Sequence, residues 1–145
     1  LRYLNLDRNK IEVLPDCFAA MPELRWLRLN ANRLSSLPAS ISSLQKLQRL
    51  YLKRNRFSEL PACLGNLQSL EDLDMSDNPL LSVPEWLTRL PKLRQLNFDR
   101  TGITKLPDNL KGWKNLQVLS LVRCRLSAEE RARLRRELPD THIAF

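Results

Sequence analysis

The chain repeats itself. The stretch Leu47–Ser69, LQRLYLKRNRFSELPACLGNLQS, reappears in outline when the sequence is shifted by 23 residues, with starts at Leu1, Leu24, Leu47, Leu70, Leu93 and Leu116. The shared scaffold is L-x-x-L-x-L-x-x-N-x-L-x-x-L-P-x-x-L-x-x-L-x-x. A period of this size means one small supersecondary unit per repeat. No such unit can bury its apolar face alone, so neighbours must stack, and the stack is a solenoid.

Inside the unit, Leu50 and Leu52 alternate with Arg49, Tyr51 and Lys53. Alternation of period two predicts a short strand with the leucines on one face and the polar residues on the solvated other. Copies of it lie side by side at roughly 4.8 Å and build one parallel sheet. The return segment, Pro61–Gln68, carries Leu64 and Leu67 at helical spacing and predicts a short 3₁₀ or irregular turn on the opposite side. Proline heads such a turn without losing a hydrogen bond, and Pro15, Pro38, Pro61, Pro84 and Pro107 all sit there. Asn55 marks the turn out of the strand. Its equivalents are Asn9, Asn32 and Asn78, then Thr101 and Cys124. Recurrence at one offset between apolar positions predicts buried amides that satisfy backbone groups opened by the turn, which are costly to leave unpaired. Thr101 and Cys124 can do this only in part, so the last third should be a looser version of the ladder.

The inward positions follow from the register. Repeat one contributes Leu4, Leu6, Ile11, Leu14, Phe18 and Met21; repeat two Leu27, Leu29, Leu34, Leu37, Ile41 and Leu44; repeat four Leu73 and Met75. Phe98 and Trp113 join the core in repeat five, whereas Trp86 falls on the convex side. After Leu126 the pattern breaks into SAEERARLRRELP. Ser127 with Glu130 has the form of a capping box, Leu134 and Leu138 share a helix face, and Pro139 ends the helix. Ile143 and Phe145 then alternate inward as Leu119 and Leu121 do. The expected layout is six repeats over 1–126 and a cap of helix plus edge strand over 127–145.

This pattern resembles the leucine-rich repeat family in its 23-residue form, over essentially the whole chain. The cap resembles those of bacterial members, including caps that precede the ligase domain of some secreted effectors. The resemblance implies an α/β solenoid, arc-shaped and right-handed, with the parallel sheet concave and short helical turns convex. It implies a buried asparagine ladder at Asn9, Asn32, Asn55 and Asn78. It also implies the work of holding a partner protein in the concave sheet, as intracellular scaffolds do with small GTPases and bacterial effectors do with host proteins. The alternative is the recognition arm of a larger bacterial effector or enzyme, such as a ubiquitin ligase or kinase. The chain opens on a repeat leucine without Met, so a C-terminal piece of a longer protein is expected.

The solvated strand positions form rows. One row reads Tyr3, Trp26, Arg49, Asp72, Gln95, Val118, and the next Asn5, Arg28, Tyr51, Asp74, Asn97, Ser120. Beyond them run Asp7, Asn30, Lys53, Ser76, Asp99, Val122, then Arg8, Ala31, Arg54, Asp77, Arg100, Arg123. The candidate binding face is therefore Tyr3, Trp26, Arg28, Arg49, Tyr51, Lys53 and Arg54, beside an acidic fourth repeat with Asp72, Asp74 and Asp77. Trp, Tyr and Arg dominate interface energetics, and a solvated Trp on a short strand serves no folding purpose. The patch suits a partner protein with an acidic and apolar surface. The competing reading is that the arginine and aspartate rows merely neutralise one another.

Other classes have less support. The net charge of +8 invites nucleic acid, but much of it lies near the cap on Arg123, Arg125, Arg131, Arg133, Arg135 and Arg136, as on a solvated helix. His142 is the sole histidine and has no evident nucleophile beside it. The aspartates of repeat four lack a Gly-rich loop or a second base, so neither catalysis, cofactor nor metal is expected. Cys17 and Cys63 stand two repeats apart, about 10 Å, beyond the reach of a disulfide. Three free thiols suit a reducing compartment, hence a cytoplasmic location in the producing or a host cell. No apolar run is long enough for a membrane span. A monomer is expected.

Overall fold

The computed structural model describes all 145 residues. Seven three-residue strands form one parallel sheet in sequence order: β1 Tyr3–Asn5, β2 Trp26–Arg28, β3 Arg49–Tyr51, β4 Asp72–Asp74, β5 Gln95–Asn97, β6 Val118–Ser120 and β7 His142–Ala144. The repeat period sets the register. Tyr3 faces Trp26, Trp26 faces Arg49, and so on to Val118 against His142. The central Leu of β2 to β6 is buried and its neighbours are not. Backbone bonding continues past each strand: Leu52 N–H donates to Asp74 (2.8 Å) and Arg54 N–H to Ser76 (3.1 Å). The buried leucines, Phe18, Phe57, Phe98 and Trp113 make one continuous core.

Four returns contain 3₁₀ helices, at Phe18–Ala20, Ala39–Ser43, Ala62–Asn66 and Glu85–Arg89. Pro38, Pro61 and Pro84 cap the last three. Two expectations fail here. Pro15 lies outside its turn, which Cys17 precedes, and the fifth return, from Pro107, has no helix. In that return Trp113 takes a leucine site, and its buried indole N–H needs an acceptor. It finds the Leu87 carbonyl at 3.2 Å. Gly112 closes against the fourth return so tightly that a Cβ there would sit 2.0 Å from the Thr88 carbonyl oxygen.

The asparagine ladder runs through Asn32, Asn55 and Asn78, all buried. Asn55 Nδ2 donates to the carbonyls of Leu52 (3.0 Å) and, one repeat back, Leu29 (2.9 Å), while its Oδ1 accepts from Leu34 N–H (3.0 Å). Asn78 does the same for Met75, Leu52 and Phe57. Asn9 corrects the expectation. It is exposed and its amide reaches only the Asp7 carbonyl, because no turn is stacked on the outer side of repeat one to supply its second acceptor. For the same reason Leu4, Leu6, Ile11 and Met21 are only half-buried. Thr101 and Cys124 divide the duty of one asparagine: Thr101 Oγ1 donates to Phe98 within its own repeat (2.8 Å), and Cys124 Sγ reaches the same carbonyl across repeats (3.0 Å).

The residue before each ladder position lies in the left-handed region: Arg8 (φ 60°), Ala31 (55°), Arg54 (58°), Asp77 (54°), Arg100 (54°) and Arg123 (60°). None is glycine, so each repeat carries a turn that costs roughly 1 kcal/mol in its backbone.

The cap begins at Ser127, whose Oγ accepts Glu130 N–H at 3.1 Å, and its helix α1 spans Ala128–Glu137. The reciprocal arm of the capping box is absent. The Glu130 carboxylate is drawn instead to Leu106 N–H (2.8 Å) and to Arg133 (2.7 Å). Arg133 also grips Glu137 and the carbonyls of Leu106 and Pro107. Leu134 and Leu138 are buried over repeat six. The hydrogen bond from Arg133 holds the Glu130 carboxyl below its ordinary range, against the opposing pull of burial. A lowered folded-state pKa contributes stability above the unfolded value, about 4.3, and loses it as pH falls. Glu130→Gln should therefore melt earlier than wild type at pH 7, by on the order of 1–2 kcal/mol. The gap should close as pH drops below about 4. Thermal melts across that range check it; a gap that persists in acid would mean that packing, not charge, holds the cap.

Candidate functional site

The strand faces turned away from the core carry the candidate residues. Trp26 is 36 % exposed, although it lies mid-sheet between β1 and β3. The Tyr3 ring meets it edge-on with centroids 5.4 Å apart, and the Arg49 guanidinium lies over its face at 4.2 Å. Arg28 stands over the Tyr51 ring at 5.9 Å and pairs with Asp7 at 2.8 Å. Tyr3, Trp26, Arg28 and Arg49 are thus brought together as one partly solvated cluster in which aromatic rings are preset by cations.

Tyr51 is half-buried, and its hydroxyl donates to Asp72 Oδ2 at 2.8 Å. Burial, then the acceptor carboxylate, pushes the phenol up to about 12. Burial likewise raises the Asp72 carboxyl, and the Tyr51 hydrogen bond and Arg49 charge work against that rise. Asp74 is turned to the backbone, accepting Ser76 N–H at 2.9 Å and the Ser76 hydroxyl at 2.6 Å. Asp77 holds Arg100 in a two-bond pair, both at 2.8 Å. Lys53 is half-buried and Arg54 exposed, and neither makes an ion pair. A shallow depression of about 210 Å³ lies next to the cluster, lined mainly by Tyr51, Asp72, Asp74, Gln95, Asn97 and Ser120.

Several polar residues have structural duties that the strand pattern hides. Asp7 and Asn30 each accept the backbone N–H one repeat on, from Asn30 and Lys53 at 2.8 Å, and Asp99 accepts that of Val122 at 2.9 Å. Ser76, in the same row, is fully buried rather than solvated, because its small side chain folds back onto Asp74. The signal for this second ladder was Asp7, Asn30 and Asp99 at one offset.

His142 is exposed on β7, Cys124 is buried, and all three cysteines are free. No group of three or more His, Cys, Asp or Glu residues is placed to hold a metal ion. No helix is long and apolar enough to cross a membrane.

The sequence profile of the leucine-rich repeat region matches residues 1–82. Two solved structures share the fold. A leucine-rich repeat protein of Leptospira interrogans is 24% identical with a TM-score of 0.51, over 99% of this chain and 54% of the other. A chain of an octameric complex of latrophilin 3, Unc5D and FLRT2, in which FLRT2 supplies the leucine-rich repeats, is 23% identical with a TM-score of 0.86, over 99% and 48%. This chain therefore spans about half the length of either. A search of curated proteins returns no significant match. The repeat period, the stacked parallel sheet, the buried asparagine ladder and a profile match over more than half of its length make this chain a member of the leucine-rich repeat family.

Proposed function

We propose that the chain is a non-catalytic binding module that holds a partner protein against its concave sheet. The observation that carries this is Trp26, 36 % exposed on the strand face turned away from the core, with Tyr3 edge-on to it and Arg49 over its ring. An indole whose orientation is already fixed loses little entropy on binding, which is how interface anchors gain their weight. The surroundings are cationic through Arg28, Arg49 and Lys53, which suits an acidic and apolar partner surface. That FLRT2 works within a multi-protein complex is in keeping with this use of the fold. The three free thiols support a reducing, cytoplasmic setting.

A second reading makes the same face the recognition arm of a larger effector or enzyme. Its premise, a catalytic domain joined to these repeats, is tested by the full-length sequence. Both readings place binding at Trp26. Trp26→Ala and Arg49→Ala should each weaken capture of the partner, Trp26→Ala by about 2 kcal/mol or more. Melting temperature should fall by a few degrees at most, the share of the Tyr3 and Arg49 contacts at about 1 kcal/mol each. Tyr51 is unsuited to this test because its loss strands Asp72. Quantitative pull-downs in which both variants bind like wild type, while convex changes such as Glu85→Ala abolish capture, would move the site to the other side.

A further inference from the structure

Arg8, Arg54 and Arg123 each hold a left-handed backbone, which glycine would adopt without strain, and none forms an ion pair. The fold gains nothing visible from a large cation there. Two positions on, Lys10, Arg33 and Arg56 repeat the charge. Backbone bonds run from turn to turn through these residues, Arg8 to Asn30, Ala31 to Lys53, Arg33 to Ile11 and Arg56 to Leu34. The cations are therefore stacked along one rim of the solenoid, at the strand-exit turns, about 4.8 Å per repeat. Among them only Arg33 forms an ion pair, with Glu12 at 3.9 Å, while Arg54 adds its charge to those that lower the Asp77 carboxyl without pairing with it.

From this rim we infer that repeats one to three bind a short, extended acidic segment of a polypeptide, laid across the exit turns at Arg8, Lys10, Arg33, Arg54 and Arg56. The inference rests on the binding-module reading and adds a second contact to the concave cluster, which Lys53 adjoins. The length of the rim selects the ligand. Three repeats span about 10 Å, the reach of three or four extended residues at about 3.3 Å each. At repeat four the charge inverts: Asp77 replaces the arginine, Pro79 replaces the second cation, and Asp72 and Asp74 follow on the sheet. Arg100 is spent on Asp77. A long polyanion such as a nucleic acid strand, tracking along the stack, would run into that acidic ridge. A short acidic segment ends before it.

The left-handed backbone supplies a test that does not endanger the fold. Arg8→Gly/Arg54→Gly removes two cations where glycine relieves strain, so its melting temperature should equal or exceed that of wild type. The probe is a fluorescein-labelled peptide of about eight residues with glutamate at alternate positions, titrated by anisotropy. Its affinity should fall about tenfold in the rim variant and less than about twofold in Lys92→Gly/Lys111→Gly, which removes equal charge elsewhere. It should also weaken as salt rises from about 50 to 200 mM. Equal loss in both variants, absence of peptide binding to wild type, or tighter binding of a single-stranded oligonucleotide of equal charge would each overturn the inference. Loss in Trp26→Ala/Arg49→Ala with none in the rim variant would overturn it too, while leaving the concave reading in place.

Discussion

Without Ser127–Phe145 the protein should aggregate, eluting in the void volume on size exclusion or remaining in the pellet. The segment covers the last repeat in two ways. Leu134 of α1 and Leu138 at its C-cap are buried in the same core as Leu121 and Leu126. Two such leucines represent about 3–6 kcal/mol of apolar burial. Strand β7 occupies the edge of β6, where Leu121 N–H donates to Ala144 and His142 N–H to Gln117, both at 2.8 Å. Truncation would leave that edge open, with a flat row of backbone donors and acceptors beside fresh apolar surface, a template for association. Terminal caps of solenoids exist to prevent this. A truncated chain that stays soluble and monodisperse at micromolar concentration would show that repeat six closes itself.

Asn78→Ala should be the most costly substitution in the ladder, at about 2–5 kcal/mol in chemical denaturation. Asn55→Ala should cost less, about 1–3 kcal/mol, although both amides are buried and make the same set of bonds. The difference lies in what each leaves behind. Losing Asn55 strands Leu34 N–H, but the Leu29 carbonyl keeps Asn32 and the Leu52 carbonyl keeps Asn78 as donors. Losing Asn78 strands Phe57 N–H and also the Met75 carbonyl. No donor replaces it at Met75, because Thr101 is too short to reach back across the repeat and bonds Phe98 alone. Thr101→Asn should accordingly stabilise by about 1 kcal/mol. Equal costs for Asn55→Ala and Asn78→Ala would refute this account of the ladder.

Much of the fold was legible because two periods suffice for it. Alternation at Leu50 and Leu52 sets the strand, and the 23-residue repeat sets the pairing, so Tyr3, Trp26 and Arg49 fall in one row without any further information. Ser127 with Glu130 and the pair Leu134 and Leu138 marked the cap in the same local way. What escaped depended on neighbours rather than on residue type. Asn9 matches Asn55 as a letter but has no turn stacked outside it. The fifth return has no helix, and there Gly112 closes on Thr88, a residue with no sequence link to it. Within the candidate site, Trp26 and Arg49 could be placed together from register alone. The commitments of Asp74 to Ser76 and of Tyr51 to Asp72 could not, since each depends on a side-chain torsion. The left-handed turns were hidden because Arg8, Arg54 and Arg100 stand where glycine would have signalled them.

The handover at Thr101 has a further effect, on how the protein comes apart. Each ladder asparagine ties its own repeat to the one before it, so stability passes along the stack as a chain of nearest-neighbour couplings. Asn32, Asn55 and Asn78 bind repeats one to four into a single cooperative block. Thr101 makes no bond backward, whereas Cys124 rejoins repeats five and six. The joint between repeats four and five thus lacks a ladder amide and is held by sheet and turn bonds, the Trp113–Leu87 hydrogen bond, the Asp77–Arg100 pair and packing. A pulling force or rising denaturant should part the molecule there first, releasing repeats five and six with their cap as one body while the block that bears Trp26 stays folded.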